Sequence, residues 1–184
     1  MQTDEQLIAE YLKGNEQALR SLIERYLRPI YNFVYRYTGE FSHAEEITQD
    51  VFVSVWRNID RFDPDRKFKT WLFAIAKNTA LNWLKKKKPV NFSKFENESG
   101  GNVLLESTAD PSPLPDELFE LSNLSDKLSE AMDRLSPDYR VVLLLHYNDH
   151  MTFQEIAESL SESINTVKSR HRRALIQLRE FFVI

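Results

Sequence analysis

The residues best suited to chemistry are cations set among aromatic rings. Residues 61–95 carry ten Lys and Arg against two acids, Asp63 and Asp65, a local balance of +8. Phe62, Phe68, Trp71, Phe73 and Trp83 lie among those charges. Cations hold phosphates, and flat rings stack on or slip between unpaired bases, so the mixture suits a single nucleic-acid strand. A second basic island closes the chain, with five Lys and Arg against one acid in residues 163–184. There Lys168, Ser169 and Arg172 stand at i, i+1 and i+4, with Asn165 one turn earlier and Arg170 and Arg173 on the flank. On a helix these side chains share an outer face that fits a DNA major groove. Its cations can contact guanine edges or phosphate, and its hydroxyl either. Each island taken alone also fits a solvated helix end that complements its own dipole.

Other chemistry has less behind it. His146 and His150 have the spacing of a metal pair on one helix, but Asn148-Asp149 between them reads as a helix end and no third ligand is evident. Glu45, Glu46 and Asp50 would need burial to act as acid and base, and a face crowded with acids belongs in solvent. No phosphate-cradling glycine loop or nucleophile elbow occurs. The sequence therefore predicts a protein that is not an enzyme, with no cofactor and no metal.

The elements that position these residues are helices throughout. Thr3 with Gln6, Ser42 with Glu45 and Thr152 with Glu155 each spell a capping box, and Asn15 and Ser163 read as further N-caps. Ala44, Ile47, Val51, Val55 and Ile59 recur at three and four residues and predict a helix from about residue 43 with one buried stripe. Glu45, Glu46, Gln49 and Asp50 fall off that stripe and form an acidic patch. A helix over 67–88, stopped by Pro89, holds too many large apolar residues for one core face, so some aromatics should line a surface. Pro29 should kink or divide the helix opened by Asn15.

From 90 to 115 periodicity is lost among Gly, Pro, Ser and acids, which predicts a flexible linker. Beyond it, Leu121, Leu124, Leu128, Ala131 and Leu135 predict one helix. Ser136-Pro137 caps the next, over 138–147, whose VVLLL run should be buried. The last two helices have helix-turn-helix spacing, with Val167, Ala174, Leu175 and Leu178 facing inward. The fold class predicted is all-α: two small helical domains, 1–89 and 116–184, joined by residues 90–115.

The net charge of −4 hides this distribution, since residues 96–133 hold ten acids and one base. Such a chain should bind free DNA poorly until a partner holds its acidic parts away. There is no cysteine, which fits a reducing compartment, and MQTDEQLIAEYLKG has neither the charges nor the apolar run of a leader. A cytoplasmic protein without membrane insertion is expected.

Two stretches resemble a known family. AEEITQDVF, Trp56, IDRF and the F.TWLF.IAKN.A.N.L pattern of 68–84 closely resemble region 2 of the extracytoplasmic-function (group IV) sigma factors of the sigma-70 family. LSPDYRVVLLLHY, MTFQEIAESL and NTVKSRHRRAL resemble region 4 of the same factors, in the same order. The resemblance implies a sigma factor that joins bacterial RNA polymerase core and directs it to promoter DNA. It implies that Glu45, Glu46, Gln49 and Asp50 dock on the clamp helices of the largest polymerase subunit, and that region 4 meets the flap of the second largest. Phe62, Asp63, Asp65, Lys67, Lys69, Trp71, Asn78 and Asn82 would capture and open the −10 element. Thr152, Asn165, Lys168, Ser169, Arg170, Arg172 and Arg173 would bind the −35 element. An anti-sigma factor is an implied partner, and the free protein would be a monomer.

The chain departs from the family pattern at His150, Ser161 and Asn165, where glycine is common, at Glu162, a usually apolar turn position, and at His171, usually aliphatic. These departures bear on how the last helix packs. The alternative reading is a sigma-mimic adaptor that sequesters an anti-sigma factor and never touches DNA; the intact basic islands speak against it.

Overall fold

The computed structural model describes residues 2–86 and 115–182. Every regular element among them is helical. α1 (Asp4–Leu12) opens on its capping box: Gln6 N–H donates to Thr3 Oγ1 at 3.3 Å and Thr3 N–H to Gln6 Oε1 at 3.0 Å. α2 (Glu16–Thr38) is capped by Asn15, whose Oδ1 accepts from Gln17 N–H. The expected division at Pro29 does not occur, and α2 is assigned as one helix through it. Tyr26, Ile30, Phe33 and Val34 are buried on either side of Pro29, and packing of that face on α3 and α4 outweighs the missing N–H. Gly39 stops α2 in the left-handed region, φ +72°, with its N–H on Tyr35 O at 2.9 Å.

α3 (Phe41–Asn58) begins before the predicted cap. Ser42 lies in the first turn, and its Oγ sits 2.9 Å from His43 Nδ1 instead of capping the backbone. Glu40 N–H donates to Thr38 Oγ1, and the Phe41 ring meets Tyr35 edge-on at 5.9 Å, so the chain has entered the helix before Ser42. The stripe Ala44, Ile47, Val51, Val55 and Ile59 is wholly buried, although Ile59 belongs to a single 3₁₀ turn (Ile59–Arg61). α4 (Phe68–Lys86) buries Phe68, Leu72, Phe73 and Ala76, and only Trp71 and Trp83 among its aromatics remain half-buried. Residues 87–114, which include Pro89 and all of the expected linker except Pro115, lie outside the described residues.

Pro115 opens α5 (Pro115–Arg134). Ala131 and Leu135 are buried as expected, but Leu124 and Leu128 are exposed; the side chain of Leu121 lies outside the described residues. α5 meets its neighbours around Met132 and Leu135, and the turns before that point extend past the contact. Pro137 occupies the first position of α6 (Pro137–Leu143), though Ser136 makes no side-chain capping bond. The helix expected over 138–147 is α6 followed by a π turn (Leu144–Asn148), and the whole VVLLL run is buried. α7 (Phe153–Leu160) and α8 (Ile164–Phe182) complete the chain. On α8, Val167 and Ala174 are buried with Leu178 beside them, whereas Leu175, a third of a turn from Ala174, is exposed.

One apolar core runs through both groups of helices. Val142, Leu145, Ile156 and Val167 belong to the same buried cluster as Ile30, Phe33, Phe68 and Phe73, with α7 against α4 and α6 against α2. Arg140 fastens this joint. Its buried guanidinium donates to Tyr37 O at 3.2 Å, to Asp133 O at 2.6 Å and to Leu135 O at 3.4 Å, tying the end of α2 to the end of α5. Among the described residues, no helix is long and apolar enough to cross a membrane.

Candidate nucleic-acid and partner interfaces

The acidic patch is as the sequence predicts: Glu45, Glu46, Gln49 and Asp50 are all exposed on α3, opposite its buried stripe. Gln49 Nε2 reaches Glu45 Oε1 at 3.5 Å, and a basic partner surface would meet the four side chains together.

The loop between the 3₁₀ turn and α4 is built on rings. Phe62 is only 8% exposed and packs edge-on against Phe68 at 5.7 Å and tilted against Trp71 at 5.3 Å. It is therefore the floor of the loop here, not a free plate for stacking. Asp63 holds the loop's shape, with its Oδ1 accepting from Asp65 N–H at 3.0 Å and its carboxylate 3.6 Å from Arg66 Nε. Trp71, Asn78 and Asn82, at i, i+7 and i+11, share a face of α4; both asparagines are exposed. Lys85 and Lys86 are exposed at the end of the helix.

The helix-turn-helix is fixed by its caps. Thr152 Oγ1 accepts from Glu155 N–H at 3.3 Å, while Thr152 N–H and Oγ1 each bond Glu155 Oε2 at 2.8 Å, so Thr152 is occupied in capping. His150 and Ser161 have φ of +52° and +56°. They carry the left-handed turns that a glycine would adopt without strain, and histidine is more tolerant there than serine. Ser163 Oγ accepts from Thr166 N–H at 3.1 Å and starts α8. Asn165, Lys168, Ser169, Arg172 and Arg173 are exposed. Arg170 is not part of that free face. Its guanidinium lies 2.7 Å from Glu162 and 3.7 Å from Asp138, linking the turn to α6.

His171 is accommodated by rings. It sits among His146, Tyr147 and Phe153, with Nε2 3.1 Å from Tyr147 Oη. His146 stacks on Phe153 at 4.7 Å, and its Nδ1 is 2.9 Å from Met151 O. Burial, with His146 adding to it, pushes the His171 pKa down and favours its neutral ring.

The sequence did not bring the loop and the helix-turn-helix together, and the structure does. Lys67 Nζ lies 2.6 Å from Glu155 Oε1, and Lys69 Nζ donates to the main-chain oxygen of Asp149. Partial burial pulls the Glu155 carboxyl upward, but the bonds from Lys67 and Thr152 win and hold it at about 2. Burial pushes the Asp149 carboxyl up to about 7 against the opposing pull of Lys69 and Arg36. Two of the cations assigned to a strand in the sequence are thus held by the other half of the chain.

The whole is a helical protein with an exposed acidic face on α3 and a basic helix-turn-helix, the architecture of a DNA-binding transcription factor. The family models for Sigma-70 region 2 and Sigma-70, region 4 match residues 22–90 and 125–178. The chain is 34% identical over 175 residues to the ECF RNA polymerase sigma factor SigW of Bacillus subtilis, covering 94% of this chain and 93% of that protein. It is 30% identical over 178 residues to the ECF RNA polymerase sigma-E factor of Escherichia coli K12, covering 94% and 90%. The chain belongs to the ECF RNA polymerase sigma factors of the sigma-70 family. The same fold occurs in CnrH, solved with the cytosolic domain of CnrY, at a TM-score of 0.70 and 23% identity over 97% of this chain and 96% of that one. It also occurs in the sigma factor RpoE of Bartonella quintana, solved with the anti-sigma factor NepR, at a TM-score of 0.70 and 20% identity over 90% and 96%.

Proposed function

We propose that this sigma factor uses residues 1–89 to dock on RNA polymerase core and open the −10 element, and residues 116–184 to read the −35 element, with residues 90–115 joining the two. The observation that carries the reading is the exposure of two complementary surfaces on capped or closely packed helices. The α3 acids are positioned by a fully buried stripe, and Asn165, Lys168, Ser169 and Arg172 stand free on α8. Glu45, Glu46, Gln49 and Asp50 meet the basic clamp helices of the largest subunit, and the second domain meets the flap of the second largest. Trp71, Asn78 and Asn82 face the −10 strand, with Phe62, Asp63 and Asp65 shaping the loop that receives it and Lys67 and Lys69 holding phosphate. Thr152 and Arg170 support the −35 reader by capping and by fixing the turn, and Arg173 anchors its flank.

In the arrangement described, Lys67 and Lys69 are engaged by Glu155 and Asp149. Promoter binding therefore requires the two halves to part, and core polymerase, drawing on the α3 acids, supplies the competing contacts. The free protein is a cytoplasmic monomer in this reading, and an anti-sigma factor would hold it away from polymerase, as NepR is found with RpoE. The test is run-off transcription with purified core on a library of promoters. Discrete starts sharing −10 and −35 sequences support the reading. Core binding without initiation on any member points to the adaptor, and tight specific DNA binding without polymerase points to an ordinary repressor.

A further inference from the structure

α2 carries a row of polar and cationic side chains along one side. Arg25, Arg28, Asn32 and Arg36 recur at three and four residues, so they line one side of the helix. With Lys69 they form the wall of a cleft of about 540 Å³ between the two halves. Opposite them stand Leu144, Asn148, Asp149 and His150 from the π turn and its end. The wall has four cations, and the only acid among the lining residues is Asp149, which comes from the other half of the chain.

The charges are unequally satisfied. Arg25 pairs with Asp4 from α1, and Lys69 donates to Asp149 O. Arg28 and Arg36 are exposed and form no ion pair among the described residues. Asp149 feels the charges of both Lys69 and Arg36. Asp149 brings the one acidic group among the lining residues to these cations, and a phosphate would meet the same cations if the π turn moved away. The row also continues directly from the loop assigned to the −10 strand. Lys69, in the first turn of α4 just after that loop, also lines the cleft, and Tyr26, beside Arg25 at the start of the row, meets Phe68 edge-on at 5.6 Å.

We propose that Arg28, Asn32 and Arg36 on α2 form a phosphate-binding track for the single strand that extends beyond the −10 element, and that the Asp149 turn occupies this track while the halves are together. The proposal rests on the reading of residues 62–69 as part of the −10 site. Its occupant is single-stranded DNA, because the row is narrow, has no base-reading geometry and joins a ring-floored loop suited to an unpaired strand.

The experiment compares holoenzymes formed with wild type, with the R28Q/R36Q pair and with K67Q/K69Q, on a forked promoter whose single strand extends beyond the −10 element. Affinity is measured across a salt series, with core affinity and helical content measured alongside. Two lost phosphate contacts on a single strand flatten the slope of log affinity against log salt by about 1.4. Across a fourfold rise in salt, R28Q/R36Q should therefore lose about sevenfold less affinity than wild type. A probe cut back to the −10 element should abolish the difference. If R28Q/R36Q keeps the wild-type slope while K67Q/K69Q loses it, the track is wrong and the −10 reading stands. If neither pair changes the slope, the −10 reading falls with it. A fall in core affinity for R28Q/R36Q would make the row a polymerase contact and overturn the proposal.

Discussion

Replacing Arg140 by methionine removes the guanidinium that holds α2, α5 and α6 together while keeping most of the side chain's volume. Three carbonyls, of Tyr37, Asp133 and Leu135, lose a charged donor. At about 1.5 kcal/mol for each bond to a charged group, the gross loss is about 4.5 kcal/mol. Burial of the guanidinium offsets part of this. It pushes the Arg140 pKa down, although Asp133 and Tyr37 pull it back, and Nε has no partner among the described residues. Relief of one buried unsatisfied donor is worth about 1–3 kcal/mol, which leaves a net destabilisation of about 1.5–3.5 kcal/mol. For a chain of 184 residues this corresponds to a Tm lower by about 3–14 °C. Arg140→Lys keeps the charge but not the fork, and should recover less than half of the difference. Thermal and urea unfolding followed by circular dichroism provide the measurement. An R140M protein within about 0.5 kcal/mol of wild type would mean that the three bonds contribute nothing net, and Arg140 would not be the fastening of the joint.

Four further outcomes are expected. Asp50→Lys, a charge reversal on the exposed α3 face, should weaken core binding without lowering Tm; unchanged pull-down of core would refute the docking face. Arg172→Ala should cost about 1–3 kcal/mol of holoenzyme affinity on the preferred −35 sequence and little on others, and an equal loss on all sequences would make it a phosphate anchor. The Asp149 carboxyl has its pKa raised to about 7 in the packed cleft, where it faces Lys69 and Arg36, with His150 beside it. The packed state binds the extra proton, so its stability should fall as pH rises from about 4 to about 7 and level off above. Asp149→Asn should remove that slope in a fluorescence assay of domain separation, and retention of the slope would assign it to another group. Ser161→Gly relieves a left-handed serine at φ +56° and should raise stability by about 1 kcal/mol, read as a Tm higher by a few degrees.

Much of the fold was legible because it rests on local periodicity and capping. The α3 stripe, the VVLLL run and the Thr3, Asn15, Thr152 and Ser163 caps each depend on residues within four or five positions. The errors arose where a distant contact overrode the local signal. Ser42 lost its cap to the packing of Phe41 on Tyr35, and Leu124 and Leu128 stand beyond the reach of the partners that cover Ala131. Arg170 and Arg173 read alike as flanking cations in the sequence, yet Glu162 and Asp138 engage Arg170 while Arg173 stays exposed. Lys67 and Glu155 lie 88 residues apart, and no local pattern announces their pairing. The α2 row was visible as spacing, but only the opposing π turn makes it one wall of a cleft.

Glu155 serves two neighbours with different oxygens. Oε1 meets Lys67 across the joint, while Oε2 closes the start of α7 on Thr152. Parting the halves therefore breaks a bond at one oxygen and leaves the other in place. The helix-turn-helix need not be rebuilt when it leaves, since the box that starts its first helix survives the departure. Lys67 is already largely exposed, so its release needs no new cavity. The two surfaces can come apart as finished parts, so opening works against the apolar contacts of α7 with α4 and of α6 with α2 and the Arg140 bond to Tyr37, and not against any refolding of the helix-turn-helix itself.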